Sequence, residues 1–159
     1  LILAETPSMS LRRDYDISLP EIQADAEQLI QATLNIARNA VQAMYGNGHG
    51  HGNGHGYGNG HGHGHGQGGI VFRTRVARQI TLESRRYQLG MRVEIIDDGP
   101  GIPEEIREQI FFPLVSGREG GSGLGLAVAQ TLVAQNHGTI DCESRPGRTV
   151  FSIFLPLPG

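Results

Sequence analysis

Leu29, Thr33, Ile36, Ala40 and Met44 return near the helical period, and Leu34, Ala37, Val41 and Ala43 widen the apolar face they draw. Neither glycine nor proline interrupts Ala26 to Met44, so this stretch predicts the strongest helix of the chain. Asp25 is placed to cap its start, with Gln28 three positions on to complete a capping box. Alternation predicts strands at Met9 to Tyr15, Ile70 to Arg78 and Tyr87 to Asp97, the last two joined through Leu82 to Arg86. Pro103 suits the first position of a helix reaching about Ile110, with Glu104 and Glu105 where the helix dipole favours acids. Leu124 to Gln135 predicts another helix, Gly138 suiting its exit. Thr139 to Glu143 and Thr149 to Leu155 are the closing strands, turned by Pro146-Gly147.

The order is strand, helix, strand, strand, helix, helix, strand, strand. Strand pairs joined by turns argue for an α+β chain with a mostly antiparallel or mixed sheet, helices covering one face. The repeating strand-helix pattern of a doubly wound sheet is absent.

Composition changes this picture in one place. Tyr45 to Gly69 is almost pure Gly, His and Asn, holding 13 of the 24 glycines and six of the seven histidines. Such a segment has nothing to pack and reads as a disordered loop inserted in one domain spanning 1–159. His61, His63 and His65 permit weak transition-metal binding, although a passive expansion accounts for the tract as well. All 13 basic residues are arginine, which excludes lysine-dependent phosphate loops, Schiff bases and lysine bases within this chain. A net charge of -3 gives no argument for a nucleic-acid partner. Cys142 is the sole cysteine, so no internal disulfide forms, and no apolar run reaches the length of a membrane span. Leu1 to Glu5 does not read as a signal peptide, and a start at leucine suggests a fragment of something longer.

Three clusters carry candidate chemistry. Asn35 and Asn39 stack one turn apart on the long helix, where asparagine is unfavourable, and an amide oxygen suits magnesium. Asp97-Asp98-Gly99-Pro100-Gly101-Ile102 puts a carboxylate at the end of an apolar strand, beside glycines that let a flat ligand approach the backbone. Gly120, Gly121, Gly123 and Gly125 run into a helix start, an anion site made of free amides and the helix dipole, with Arg118 able to reach a phosphate. Alone, these clusters also read as helix surface, acidic turn and mechanical hinge. Together they describe a nucleotide site with separate places for base, metal and phosphates.

At these residues the chain resembles the ATP-binding catalytic domain of sensor histidine kinases, most like the bacterial nitrogen-regulation type. That family belongs to a superfamily shared with type II topoisomerases, Hsp90-like chaperones and MutL-like repair proteins. Asn35-Ile36-Ala37-Arg38-Asn39-Ala40 is similar to the family's asparagine box, which implies that Asn39 ligates Mg2+ and Asn35 supports the site. Asp97-x-Gly99-x-Gly101-Ile102 resembles the first glycine box, implying that Asp97 takes the adenine amino group. Phe111-Phe112-Pro113-Leu114 stands at the phenylalanine box. Gly121-Ser122-Gly123-Leu124-Gly125-Leu126 stands at the second glycine box, beside an ATP lid expected to be mobile without ligand. His137-Gly138 and Thr149-x-Phe151 fit the closing strands. The implied fold is a two-layer α/β sandwich of the Bergerat type, five strands in a mixed sheet against three helices.

The resemblance implies a donor of the γ-phosphate of Mg-ATP to a histidine on a separate dimerisation domain, in a cytoplasmic two-component system. A response regulator and a nitrogen-status signal protein are implied partners of the full-length kinase; the isolated domain is expected to be monomeric. Gln42 stands where many relatives carry a phosphate-contacting lysine, which leaves Arg118 as the first candidate cation and Arg38 as the second. Asp98 stands where asparagine is common. No histidine here has the helical setting of the family's phosphoacceptor. Two alternatives stay open: a non-catalytic nucleotide-sensing or docking module, and an ATP hydrolase of the topoisomerase or MutL type. The second is disfavoured because those enzymes carry a glutamate base at the position of Asn35.

Overall fold

The computed structural model describes residues 9–45, 68–114 and 123–158. In chain order these form β1 (Ser10–Asp14), α1 (Ala26–Tyr45), β2 (Gly69–Leu82), β3 (Arg85–Asp97), α2 (Glu104–Arg107), α3 (Gly125–Gln135), β4 (Thr139–Arg145) and β5 (Arg148–Pro156). The strands make one open sheet in the order β1-β2-β3-β5-β4. β1 runs parallel to β2 and every other neighbouring pair is antiparallel, so the sheet is mixed as expected.

Alternation along the strands decides which side the helices take. Met91, Val93 and Ile95 of β3 and Phe151, Ile153 and Leu155 of β5 pack with Ala32, Ile36, Ala37 and Ala40 of α1 and Ala129 and Val133 of α3. Asp97 continues the inward row of β3. On the opposite face Asp14 bridges Arg73 at 3.0 Å and Arg75 at 2.8 Å, and Glu94 lies between Arg73 and Arg92. The Arg75 hydrogen bond, with Arg73, holds the Asp14 carboxyl below the usual carboxylate range. No described helix is long and apolar enough to cross a membrane.

Four local expectations are corrected. β2 and β3 run further than the strand pattern indicates and join through only Glu83 and Ser84, both at positive φ (48° and 67°). That is the backbone of a tight hairpin turn without the glycine or asparagine that announces one. Pro103 caps α2 instead of entering it, and α2 ends at Arg107. Turns then carry Ile110 into the core and Phe111 edge-on against Phe151, with centroids 6.2 Å apart.

The capping box at α1 is completed from elsewhere. Asp25 Oδ1 accepts the Gln28 amide at 3.0 Å, as expected. The Asp25 amide, however, donates to Asn136 Oδ1 at 2.7 Å, and Asn136 Nδ2 donates to Gln28 Oε1 and Leu132 O, both at 2.8 Å. Buried Asn136 thereby ties the end of α3 to the start of α1. At that same end His137, not Gly138, takes the left-handed conformation (φ 58°), and the amides of residues 138 and 137 return to Val133 and Ala134. Gly138 is needed for space, since a Cβ there would lie 2.6 Å from the Phe154 carbonyl oxygen.

The Gly/His tract falls largely outside the described residues, but its two ends meet. A Cβ on Gly68 would lie 2.8 Å from Met44 Sδ and 3.0 Å from the Tyr45 hydroxyl. A short connection therefore suffices. Replacing residues 46–67 by a glycine-containing turn of about five residues should leave nucleotide affinity unchanged and stability equal or higher, because loop-closure entropy grows only slowly with length. Thermal unfolding and ADP titration check this; a loss of cooperative unfolding makes the tract structural.

Candidate functional site

The site is built along one stripe of α1. Asn35, Asn39 and Ala43 are spaced one turn apart, spanning roughly 12 Å of helix. At one end, Asn35 Nδ2 donates to the Gly125 carbonyl at 3.3 Å, where α3 begins. At the other, Gly99 approaches so closely that a Cβ on it would lie 3.1 Å from Met44 Cγ and 3.7 Å from Ala43 Cβ. The two glycine-rich segments are thus brought to opposite ends of the same helical stripe. Asn39 lies between them, half-buried and with no hydrogen-bond partner among the described residues.

Asp97 ends β3 at 4% exposure, and its Oδ1 accepts the Gly99 amide at 2.9 Å. A Cβ on Gly99 would also lie 2.8 Å from that oxygen, so glycine keeps the carboxylate clear. Gly101 has φ 86°, and a Cβ there would sit 2.9 Å from the Arg145 carbonyl group. The loop is pinned twice more to the β4–β5 corner. The Gly147 amide donates to Gly99 O at 2.9 Å, and the Ile102 amide donates to Ser144 Oγ at 2.8 Å.

Asn35 makes two contacts in this arrangement: Gln31 Nε2 donates to its Oδ1 at 2.8 Å, and its own amide donates to Gly125. Gly123 takes φ 66° and its carbonyl accepts the Leu114 amide at 2.9 Å, which joins the two ends of the segment expected to be the lid. Leu114 itself sits at φ 66°, unusual for a leucine. Leu124 stands at the N-cap of α3 without a side-chain cap bond of its own, and Gly125 and Leu126 form the first turn. Arg118, Gly121 and Ser122, and with them the expected mobility of the lid, lie outside the described residues.

Sequence reasoning missed Gln31, Asn136 and Ser144. Ser144 had a signal: a two-residue turn at Pro146-Gly147 puts it opposite Thr149. Gln31 and Asn136 had none.

Cys142 lies on the inner face near this corner, and burial, with the charges of Asp141 and Asp97 adding to it, pushes its thiol up to about 12. It is therefore kept neutral and serves as packing. The thiolate fraction at neutral pH is far below that of an ordinary cysteine. A thiol-directed disulfide reagent in mildly alkaline buffer should label the folded chain about a hundredfold or more slower than the chain in urea. Similar rates in the two conditions contradict this.

Residues 24–159 match the family model described as histidine kinase-, DNA gyrase B-, and HSP90-like ATPase. The chain is similar to the sensory histidine kinase/phosphatase NtrB of Vibrio alginolyticus, 46% identical over 150 residues that make up 94% of this chain and 38% of that one. It is 44% identical over 158 residues to the protein of the same description in Escherichia coli O157:H7, covering 99% of this chain and 40% of that one. Thus the chain spans about two fifths of these curated relatives. Among solved structures, the mycobacterial sensor histidine kinase MprB superposes with a TM-score of 0.67 at 21% identity, covering 99% of this chain and 89% of that one. That likeness concerns the fold.

Proposed function

This chain belongs to the histidine kinase-, DNA gyrase B- and HSP90-like ATPase family, and from that premise we propose that it is the ATP-binding catalytic part of a two-component sensor kinase in nitrogen regulation. It binds Mg-ATP and presents the γ-phosphate to a histidine on a separate dimerisation domain. The observation that carries this reading is the α1 stripe, with Asp97 and Gly99 at one end, the start of α3 at the other, and between them Asn39, whose side chain has no hydrogen-bond partner among the described residues.

Each residue then has a task. Asp97 accepts the adenine amino group while Gly99, Gly101 and Ile102 shape the loop beside it. Gly121, Ser122, Gly123, Leu124, Gly125 and Leu126 lead into a helix whose first amides and dipole favour phosphate. Arg118 adds a cation where charge develops. Asn35 supports the site and positions Gly125 against α1. The residue present fits magnesium: half-buried Asn39 would supply one hard amide oxygen, with phosphate oxygens and water left for the other positions. When bound, the metal neutralises phosphate charge. Neutral imidazole is already a nucleophile, so the chain's own contribution is positioning and charge stabilisation.

The full-length protein would be cytoplasmic and pair this part with its histidine-bearing domain, a response regulator and a nitrogen-status signal protein. Asn35 is an amide and cannot take a proton from water, which weighs against the hydrolase alternative, whose members carry a glutamate base there. The test mixes this chain, γ-labelled ATP and a separately made histidine-bearing dimerisation domain. Acid-labile, base-stable label on the second protein is expected. Release of free phosphate without such label assigns the chain to the hydrolases, and tight nucleotide binding with neither outcome makes it a sensing module.

A further inference from the structure

Three strands deliver one polar row to the edge of the nucleotide site. Asp97 of β3 pairs with Thr149 of β5, and Thr149 pairs with Ser144 of β4. All three continue the inward alternation of Ile95, Phe151 and Cys142. Asp97 and Thr149 are 4% and 3% exposed. Ser144 Oγ accepts the Ile102 amide at 2.8 Å and lies 2.8 Å from Thr149 Oγ1.

A hydroxyl has one proton and two lone pairs, so the shared bond can run either way. Its neighbours choose the direction. If Thr149 gave its proton to Ser144, its lone pairs would remain on the side of the Asp97 carboxylate, acceptor beside acceptor. If Ser144 donates, Thr149 keeps a proton for the side where Asp97 stands. The low dielectric of a buried site enlarges the difference.

We propose that Ser144 is a positioning residue for base recognition: by donating to Thr149 it leaves Thr149 as a donor beside Asp97 as an acceptor. This rests on the adenine assignment above and deepens it. Adenine offers the matching order along its edge, an amino donor and a ring-nitrogen acceptor, whereas hypoxanthine offers a carbonyl acceptor and an N–H donor. Without the Ser144 hydroxyl, Thr149 is free to rotate and accept, and the row loses its bias. The loop itself keeps two anchors that do not involve this side chain, Gly147 N to Gly99 O and Gly101 against Arg145.

The test titrates ADP and inosine diphosphate against the parent, Ser144→Ala, Ser144→Thr and Asp97→Ala, with thermal unfolding of each unliganded protein. Ser144→Ala should bind ADP about five- to tenfold more weakly and inosine diphosphate within about twofold of the parent, narrowing the preference. Ser144→Thr, which keeps the hydroxyl, should restore it. Asp97→Ala should abolish it. Equal losses for both nucleotides in Ser144→Ala, with preference kept, reduce Ser144 to a structural anchor and overturn the inference. An unchanged preference in Asp97→Ala overturns the adenine reading and this inference with it.

Discussion

Asn39→Ala should lower phosphoryl transfer to the acceptor histidine by about a hundredfold or more while ATP measured without divalent metal binds nearly as the parent does. The side chain is half-buried on α1 and spends its amide on no described neighbour, so its removal breaks no hydrogen bond of the fold seen here. The Asp97 end and the Gly125 end of the α1 stripe stay in place, held by Gly99 against Met44 and by Asn35 on Gly125. What disappears is a hard oxygen between them. The measurement is a magnesium titration of transfer, run beside metal-free nucleotide binding and thermal unfolding. An identical magnesium dependence in variant and parent removes Asn39 from the site. A large drop in melting temperature with unchanged transfer makes it a packing residue of α1.

Asp97→Ala should weaken ADP and ATP binding by about ten- to a hundredfold, the equivalent of roughly 1.5–3 kcal/mol for a lost charge-assisted hydrogen bond. The backbone of Asp97 is held at the end of β3 by its ladder partners Ile70 and Thr149. Removing it also strands the Gly99 amide, whose acceptor it is. Alanine therefore costs stability as well as affinity, and the two must be separated. Asp97→Asn does this, since its carbonyl can still receive Gly99. Asparagine should retain most of the fold's stability and lose less affinity than alanine. Titration of ADP, ATP and GTP against the three proteins, with unfolding of the unliganded forms, gives both quantities. If alanine binds ADP as the parent does, or the parent takes GTP equally well, Asp97 belongs to the loop's architecture alone.

Much of the site was legible because its residues violate local preference. Two asparagines inside an uninterrupted helix, a carboxylate closing an apolar strand and glycines crowding a helix start are each locally unfavourable. Such violations stand out in a bare sequence. The supporting residues did not, because each obeys a local rule that hides its distant partner. Gln28 fits a capping box, yet its side chain serves Asn136. Asn136 looks like an ordinary helix exit, and Gly138 looks like the left-handed cap that His137 turns out to be. Glu83-Ser84 makes a tight hairpin with residues that do not advertise one.

From the sequence alone came the element order, a mostly antiparallel or mixed sheet with helices on one face, and the grouping of candidate residues into three clusters. Periodicity and backbone sterics act over neighbouring residues and leave their mark there. Only the tertiary structure decided which cluster meets which. It set Gly125 on Asn35, Gly99 on Ala43 and Met44, and Asn136 on Asp25 and Gln28. Those meetings depend on how two helices and three strands pack around one core, and contacts between residues ninety or more apart leave no period in the chain that makes them.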